Sequence, residues 1–187
     1  MARVVAITGG IGSGKSVVSR ILRILGYCVY DCDSQAKRIV EASDDAIDRI
    51  VSYFGEDARS DGGVNWKYLS SVVFRHKEMI ATLNGIIHPL VRQDVARWAE
   101  KAAGDIVFVE TAILRESKMD AMVDGVWLVT APEDVRVARV MARNNLPEEA
   151  VRVRIAAQKE YDGDGISLIV NDGIAPLLPR ILQLLRD

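Results

Sequence analysis

The chain has 187 residues, 24 Lys and Arg against 26 Asp and Glu, a net charge of −2 and 49% hydrophobic residues. That length suits one domain with a good core and room for a small inserted lid. The near-neutral balance argues against a broad nucleic-acid or membrane surface, no window approaches about 18 consecutive apolar residues, and the first apolar run ends too early for a signal peptide, so a cytoplasmic protein is expected.

The first element is Val4-Val5-Ala6-Ile7, a short apolar run suited to a buried parallel strand. Gly9-Gly10-Ile11-Gly12-Ser13-Gly14-Lys15-Ser16 follows and matches the P-loop pattern G-x-x-x-x-G-K-[ST]. Val17, Ile21, Leu22 and Leu25 then recur at helical spacing, with Gly26 as a stop signal. Glycines let backbone N–H groups approach phosphate oxygens, and the helix start turns its positive dipole end to the same anion. Lys15 can reach the β- and γ-phosphates, and the Ser16 hydroxyl can ligate Mg²⁺. A Gly-rich turn without a ligand is the bland alternative, but Lys and Ser in register between strand and helix oppose it. The dinucleotide pattern G-x-G-x-x-G fails, since the sixth position is Lys15 counted from Gly10 and Val17 counted from Gly12. The ligand expected is a nucleoside triphosphate.

The second strand is expected over Tyr27 to Tyr30, leading into Asp31-Cys32-Asp33. Open α/β sheets bind ligands at the carboxyl ends of their strands, so both acids are expected near the P-loop. Asp33 is a candidate to orient or deprotonate an acceptor hydroxyl, the alternative being a helix cap. Asp31 is divided between a Mg²⁺-water contact and a turn residue. Cys28 and Cys32 lack the further ligands of a zinc site, the only histidines being His76 and His88, and read as reduced thiols.

From Ser34 to about Lys101 the pattern is helical throughout. Ser43 is the expected N-cap of a helix carrying Ile47, Ile50, Val51 and Phe54, and Gly55 to Gly63 is a polar turn region. Leu69, Val72, Val73 and Phe74 suggest another helix. A run from Ile80 to Trp98 follows, in which Pro89 predicts a kink or two helices meeting. His88, just before that proline, is either a structural hydrogen-bonding residue or a site residue. Such an all-helical insertion, longer than a crossover needs, is the place for a second-substrate site.

Asp105 to Glu110 is the third strand, Gly125 to Thr130 the fourth, and Ser167 to Val170 the last. A carboxylate ending a hydrophobic strand beside a P-loop resembles a Walker B element, so Glu110 can hold a Mg²⁺-bound water; Glu116 is either a site residue or a surface charge. Thr130-Ala131-Pro132-Glu133 reads as a capping box, and Asn145-Leu146-Pro147-Glu148 repeats the start signal. Arg136, Arg139 and Arg143 fall at i, i+3 and i+7 on the helix between, and Arg152 and Arg154 follow in the next. Guanidinium forks match phosphate oxygens, so Arg139 or Arg143 is a candidate phosphate ligand in a lid that closes over the triphosphate; a solvated basic face is the alternative. Asn171-Asp172-Gly173 is a turn before an amphipathic helix from Ala175 to Leu185.

The alternation predicts an α/β fold: a P-loop NTPase-type parallel five-stranded sheet flanked by helices, with a helical substrate-binding insertion and a helical lid. The expected layout is one P-loop kinase domain over 1–187, with its core at about 1–33, 104–135 and 160–187, the acceptor-binding insertion at about 34–103 and the lid at about 136–159.

Taken together these residues resemble the dephospho-coenzyme A kinase family from the N-terminus to about Gly173. The resemblance rests on the Thr8-Gly9-Gly10 lead-in to the P-loop and the D-x-D strand end at Asp31 and Asp33. It extends to Leu83-Asn84 with Ile87-His88-Pro89-Leu90, Ala112-Ile113-Leu114-Arg115-Glu116-Ser117, Arg154-Ile155-Ala156-Ala157-Gln158, and Asn171-Asp172-Gly173. It implies transfer of the ATP γ-phosphoryl to the ribose 3′-hydroxyl of dephospho-coenzyme A, with ATP·Mg²⁺ and dephospho-coenzyme A as partners and either a monomer or a weak homo-oligomer. It implies Gly10, Ile11, Gly12, Ser13, Gly14, Lys15, Ser16, Val17 and Asn171 on ATP; Asp33, His88, Glu116 and Arg154 on the acceptor; and Ser16, Asp31 and Glu110 toward Mg²⁺. Asp33, Lys15 and Arg139 or Arg143 would carry the chemistry. The chain departs from the family pattern at Ala112 and Arg115, where Pro and an aromatic are usual, at Val17, where Thr is common, and at the short Gly163-Asp164-Gly165 loop.

A nucleoside or nucleotide kinase would share the P-loop, the strand-end acid and the arginine lid, but the His-Pro segment and the Ile-Leu-x-Glu turn favour the first reading. A GTPase-type switch would want an N-K-x-D-like element, where the fourth strand ends instead in Val129-Thr130-Ala131-Pro132.

Overall fold

The computed structural model describes residues 2–73, 77–158, 161–163 and 165–187, without the side chain of Lys77. Phe74, His76 and Asp164, and the lid–core boundary at 159–160, lie outside the described residues. The chain divides into two units, Met1–Tyr30 with Ala99–Asp187, and Asp31–Trp98.

In the first unit, β1 (Arg3–Thr8) runs into the loop that precedes α1 (Lys15–Ile24), and β2 spans Val29–Asp31. Beyond the second unit come β5 (Ile106–Glu110), β6 (Gly125–Thr130), α6 (Glu133–Asn144), α7 (Glu148–Ala156), β7 (Ile166–Val170) and α8 (Leu177–Leu184). The five strands form the expected parallel sheet in the order β2-β5-β1-β6-β7. β1 therefore sits at the centre, and strand order reverses around it, which opens a crevice at its carboxyl end. Register places Ile7 beside Glu110 and Thr8 beside Leu128, so β6 runs two residues past the end of β1.

Val5, Ile7, Phe108, Trp127, Val129 and Ile169 from the strands pack with Val18 and Leu22 of α1 and Ile181 and Leu184 of α8. Each such side chain contributes roughly 1.5–3 kcal/mol of burial. Phe108 sits between Tyr27, edge-on at 5.6 Å, and Trp127 at 4.9 Å. The buried stripe of α1 is Val18 and Leu22; Val17 is 47% and Leu25 39% exposed, against the spacing expected from the sequence. The exit of the P-loop sets the rotation of this helix, and periodicity alone allows either stripe. Gly26, at φ 92°, ends the turn as expected.

Helices open at both expected start signals beyond β6, at Glu133 and Glu148, but neither has the expected side-chain cap. Thr130 remains in β6, opposite Val170, and accepts from the Asn171 N–H at 2.7 Å, so α6 begins after Pro132 without a side-chain cap. Asn145 ends α6 rather than opening α7: it takes φ 51°, ψ 46°, a left-handed conformation that Asn tolerates. Val137, Val140, Val151 and Ile155 pack these two helices together, with Ile11 against them.

The second unit has its own core. α2 (Cys32–Glu41), α3 (Asp44–Phe54), α4 (Trp66–Val73) and most of α5 (Lys77–Lys101) surround Val40, Ile47, Ile50, Phe54, Leu69 and Ile86. Ser43 caps α3 as expected, accepting from the Ala46 N–H at 3.2 Å. The insertion is not all helical: a 3₁₀ turn, Glu56–Ala58, leads into the antiparallel pair β3 (Arg59–Ser60) and β4 (Gly63–Val64). The two-residue Asp61-Gly62 connection is a hairpin signal that the sequence reading treated as a plain turn. Nor does Pro89 divide the long apolar run; α5 continues through it for 25 residues. The proline removes only its own bond to the Gly85 carbonyl, while Leu83, Ile86, Val91 and Val95 stay buried on both sides of it.

Candidate active site

The first unit's site is built on the start of α1. Gly14 occupies the N-cap at φ 95°, with no side-chain cap and no acid in the first turn. By contrast α2, α3, α6 and α7 each carry an acid there. The first N–H groups of α1 and its dipole are thus left to an external anion. Lys15 folds back over the loop, its Nζ donating to the carbonyls of Gly9 at 2.8 Å and Gly10 at 3.3 Å. The Ser16 side of the helix is exposed, and the Ser13 hydroxyl is buried with no hydrogen-bond partner among the described residues.

Gly9 passes close to β6: a Cβ there would overlap the Val129 carbonyl oxygen, and its φ of +148° is one that L-residues rarely adopt. Gly9→Ala is expected to lower stability by about 1–3 kcal/mol and to abolish nucleotide binding, read by urea unfolding and nucleotide titration. A parent-like unfolding midpoint would show that the loop relaxes around the methyl group.

The arginine stripe of α6 does not act as one. Arg136 is buried, and its Nε donates to the Ile11 carbonyl at 2.9 Å. Arg139 reaches the back of the loop: Nη1 donates to Gly12 O at 3.3 Å, Ser13 O at 3.5 Å and Asn171 O at 3.0 Å, and Nη2 to Asn171 Oδ1 at 3.2 Å. Asn171 is buried and donates from Nδ2 to Ser13 O at 3.0 Å. Arg143, one turn further on, is exposed and donates to Asn144 Oδ1. Arg152 lies among Glu133, Asp134 and Glu148, which hold its guanidinium well above the usual range, Asp134 foremost. Arg154 is exposed on α7. Two contacts were not singled out from sequence, Arg136 on Ile11 and the Ile11 N–H donating to Gln158 Oε1 at 2.6 Å. The signals for them are the i, i+3 spacing of Arg136 to Arg139 and the Arg154-Ile155-Ala156-Ala157-Gln158 segment.

Glu110 ends β5 and is half-buried; Glu116 is exposed. Between them, Thr111 Oγ1 accepts from the Ile113 N–H. Arg115 pairs with Asp162 and lies over the Tyr161 ring at 5.2 Å. Asp172 accepts from the N–H groups of Ile174 and Ala175, which hold its carboxyl below the usual carboxylate range.

In the second unit, Asp31 is the N-cap of α2. Its Oδ1 accepts from the N–H groups of Asp33 and Ser34, both at 3.1 Å, and its Oδ2 from Ser34 Oγ at 2.6 Å. Capping thus falls to Asp31 rather than Asp33, which stands exposed in the first helical turn. His88 is half-buried in the middle of α5.

A model of the dephospho-CoA kinase family matches residues 3–164. The chain belongs to the dephospho-CoA kinase family. The resemblance read from the sequence is therefore borne out. A dephospho-CoA kinase of Bacteroides fragilis is 39% identical over 190 residues, covering 99% of this chain and 92% of that one. One of Staphylococcus aureus is 34% identical, covering 87% and 80%. Among solved structures, TT1252 of Thermus thermophilus superposes with a TM-score of 0.79 at 30% identity, covering 99% of this chain and 95% of that one. A dephospho-CoA kinase of Campylobacter jejuni shares the fold, with a TM-score of 0.66 at 22% identity over 100% and 96% of the two chains. The dephospho-CoA kinase match contains both the P-loop and Asp33. Among the described residues, no helix is long and apolar enough to cross a membrane.

Proposed function

We propose that this chain performs the ATP-dependent phosphorylation of dephospho-CoA, the last step of coenzyme A biosynthesis, in the cytoplasm, and that it transfers the γ-phosphoryl group to the ribose 3′-hydroxyl. The observation that carries the reading is the start of α1, capped by a glycine, free of acids and supplied with Lys15. The family supplies the acceptor.

The triphosphate enters with Mg²⁺ as part of the substrate. Mg²⁺ keeps several waters and is held through phosphates with one or two protein ligands. Ser16 and Glu110 are its contacts in this reading, while Asp31 serves α2 as its cap. Gly10 to Val17 supply the backbone that follows the phosphates, and Asn171 supports that backbone through Ser13. Lys15 neutralises the β- and γ-phosphates. Arg139 or Arg143 steadies the transferring phosphoryl group; Arg139 also donates to three carbonyls and Arg143 to Asn144 Oδ1. Asp33 orients the acceptor hydroxyl and takes its proton, with His88, Glu116 and Arg154 on the acceptor side.

The test is turnover with ATP·Mg²⁺ and dephospho-CoA, with the product identified by mass and by the position of its new phosphate. Formation of the 3′-phosphorylated product is expected. ATP binding without transfer to dephospho-CoA, but with transfer to a nucleoside or nucleotide, would overturn the acceptor assignment.

A further inference from the structure

The P-loop pattern requires glycine at positions 9 and 14, and leaves 10 and 12 open. This chain nevertheless has glycine at both, and both pack against α6 at position 136. A Cβ on Gly10 would meet the Arg136 guanidinium, coming within 2.8 Å of Cζ. A Cβ on Gly12 would lie 2.7 Å from the Arg136 carbonyl oxygen and 3.0 Å from its Cα. Gly10 thus makes room for the guanidinium and Gly12 for the α6 backbone that carries it, and Arg136 is only 8% exposed. Among the described residues no carboxylate forms an ion pair with it. A buried guanidinium without a counter-ion is costly unless its hydrogen bonds or a nearby anion compensate.

What the arginine holds is the peptide at Ile11. Its Nε donates to the Ile11 carbonyl at 2.9 Å, while Gln158 Oε1 accepts from the Ile11 N–H at 2.6 Å. Both polar groups of one residue at the loop's tip are thus fixed by side chains from far along the chain. Arg136 lies in the first turns of α6, and Gln158 stands just beyond α7. Those helices are locked to each other, and Ile11 packs on them.

We propose that Arg136 is a positioning residue for ATP: with Gln158 it clamps the Ile11 peptide and holds the phosphate loop in its anion-binding form before ATP arrives. Arg136 acts through the Ile11 backbone. Its charge beside the loop adds to the attraction for the triphosphate. Preorganisation of this kind removes the cost of ordering the loop on binding. The inference rests on the loop being the ATP site and is independent of the acceptor.

The test measures nucleotide affinity on the full chain by fluorescent-ATP titration, beside steady-state kinetics. Arg136→Met removes the donor and keeps bulk, and is expected to raise both Kd and KM for ATP about 10-fold, as for loss of a charged hydrogen bond. KM for the acceptor should stay within about twofold. Arg136→Lys keeps the charge without the fork and should recover less than half of the lost affinity on the logarithmic scale. Gln158→Met, at a half-buried position, tests the other side of the clamp and should raise Kd for ATP about threefold. A double-mutant cycle covers poor folding of a single variant: Gly10→Ala should weaken ATP binding in the parent and clearly less in the Arg136→Met background, since the methyl group then meets no guanidinium. The proposal fails if Arg136→Met lowers only the amount of active enzyme at parent-like Kd and KM for ATP, or if the Gly10→Ala effect is the same in both backgrounds. Normal clamp behaviour with no phosphorylation of dephospho-CoA would instead count against the acceptor assignment.

Discussion

Asp33→Asn lowers kcat by about 10²–10⁴-fold while Kd for ATP stays within about twofold, the expected signature of a lost proton acceptor. The substitution is nearly isosteric. The bond that Asp33 contributes to the cap of α2 comes from its backbone N–H, donated to Asp31 Oδ1 at 3.1 Å, so the cap survives the change. The side chain is exposed in the first helical turn, where loss of one charge costs little stability compared with the rate effect. Asp31→Ala gives the contrasting pattern: it removes an acceptor of two N–H groups and of the Ser34 hydroxyl, and so weakens the helix start that carries Asp33. Steady-state kinetics with both substrates varied, together with direct nucleotide titration, separate the two. Turnover of Asp33→Asn near that of the parent would remove Asp33 from the chemistry.

Lys15→Ala is expected to reduce kcat/KM for ATP by about 10²–10³-fold, the scale of losing one preorganised cationic contact at a developing charge. Two losses coincide. The ammonium no longer meets the phosphates, and its bonds to the carbonyls of Gly9 and Gly10 disappear from the loop. Lys15→Arg should not restore activity, because a planar fork cannot take the place of a compact point charge inside a tight loop. Circular dichroism and thermal melting should show a folded variant, since the core of this unit is built by Val18, Leu22 and the strands and not by Lys15. Unchanged kinetics of Lys15→Ala would refute the P-loop assignment.

Much of the site was legible because its chemistry is local in sequence. The loop from Gly9 to Ser16 carries its own geometry: glycine at the helix start, lysine and serine just inside it, an apolar strand before. The five strands were visible as apolar runs: β1 and β5 are buried on both faces of the parallel sheet, and even the edge strand β7, which leaves Leu168 and Val170 exposed, is apolar. Ser43 as a cap and Gly26 as a stop are one-residue decisions of backbone and short side chain, and both hold. Where two local solutions compete, sequence alone could not choose. Val17 and Val18 are equivalent by spacing, and the path of the loop decided which one is buried. Thr130 can cap a helix or extend a strand, and pairing with β7 decided for the strand. Pro89 disfavours a helix locally, yet apolar residues buried before and after it keep α5 continuous.

By itself, then, the sequence determined the P-loop motif, the five strands of the main sheet and the acid that follows β2, since each depends on residues within a few positions of one another. Only the tertiary structure decided how the loop is held. Arg136 meets Ile11 across 125 positions, Gln158 meets it across 147, and Asn171 meets Ser13 across 158. A stripe of arginines at helical spacing says that several cations share a face, but not which of them reaches a carbonyl. That choice depends on how α6 is seated against Gly10, Ile11 and Gly12, and therefore on packing contacts that no local pattern records.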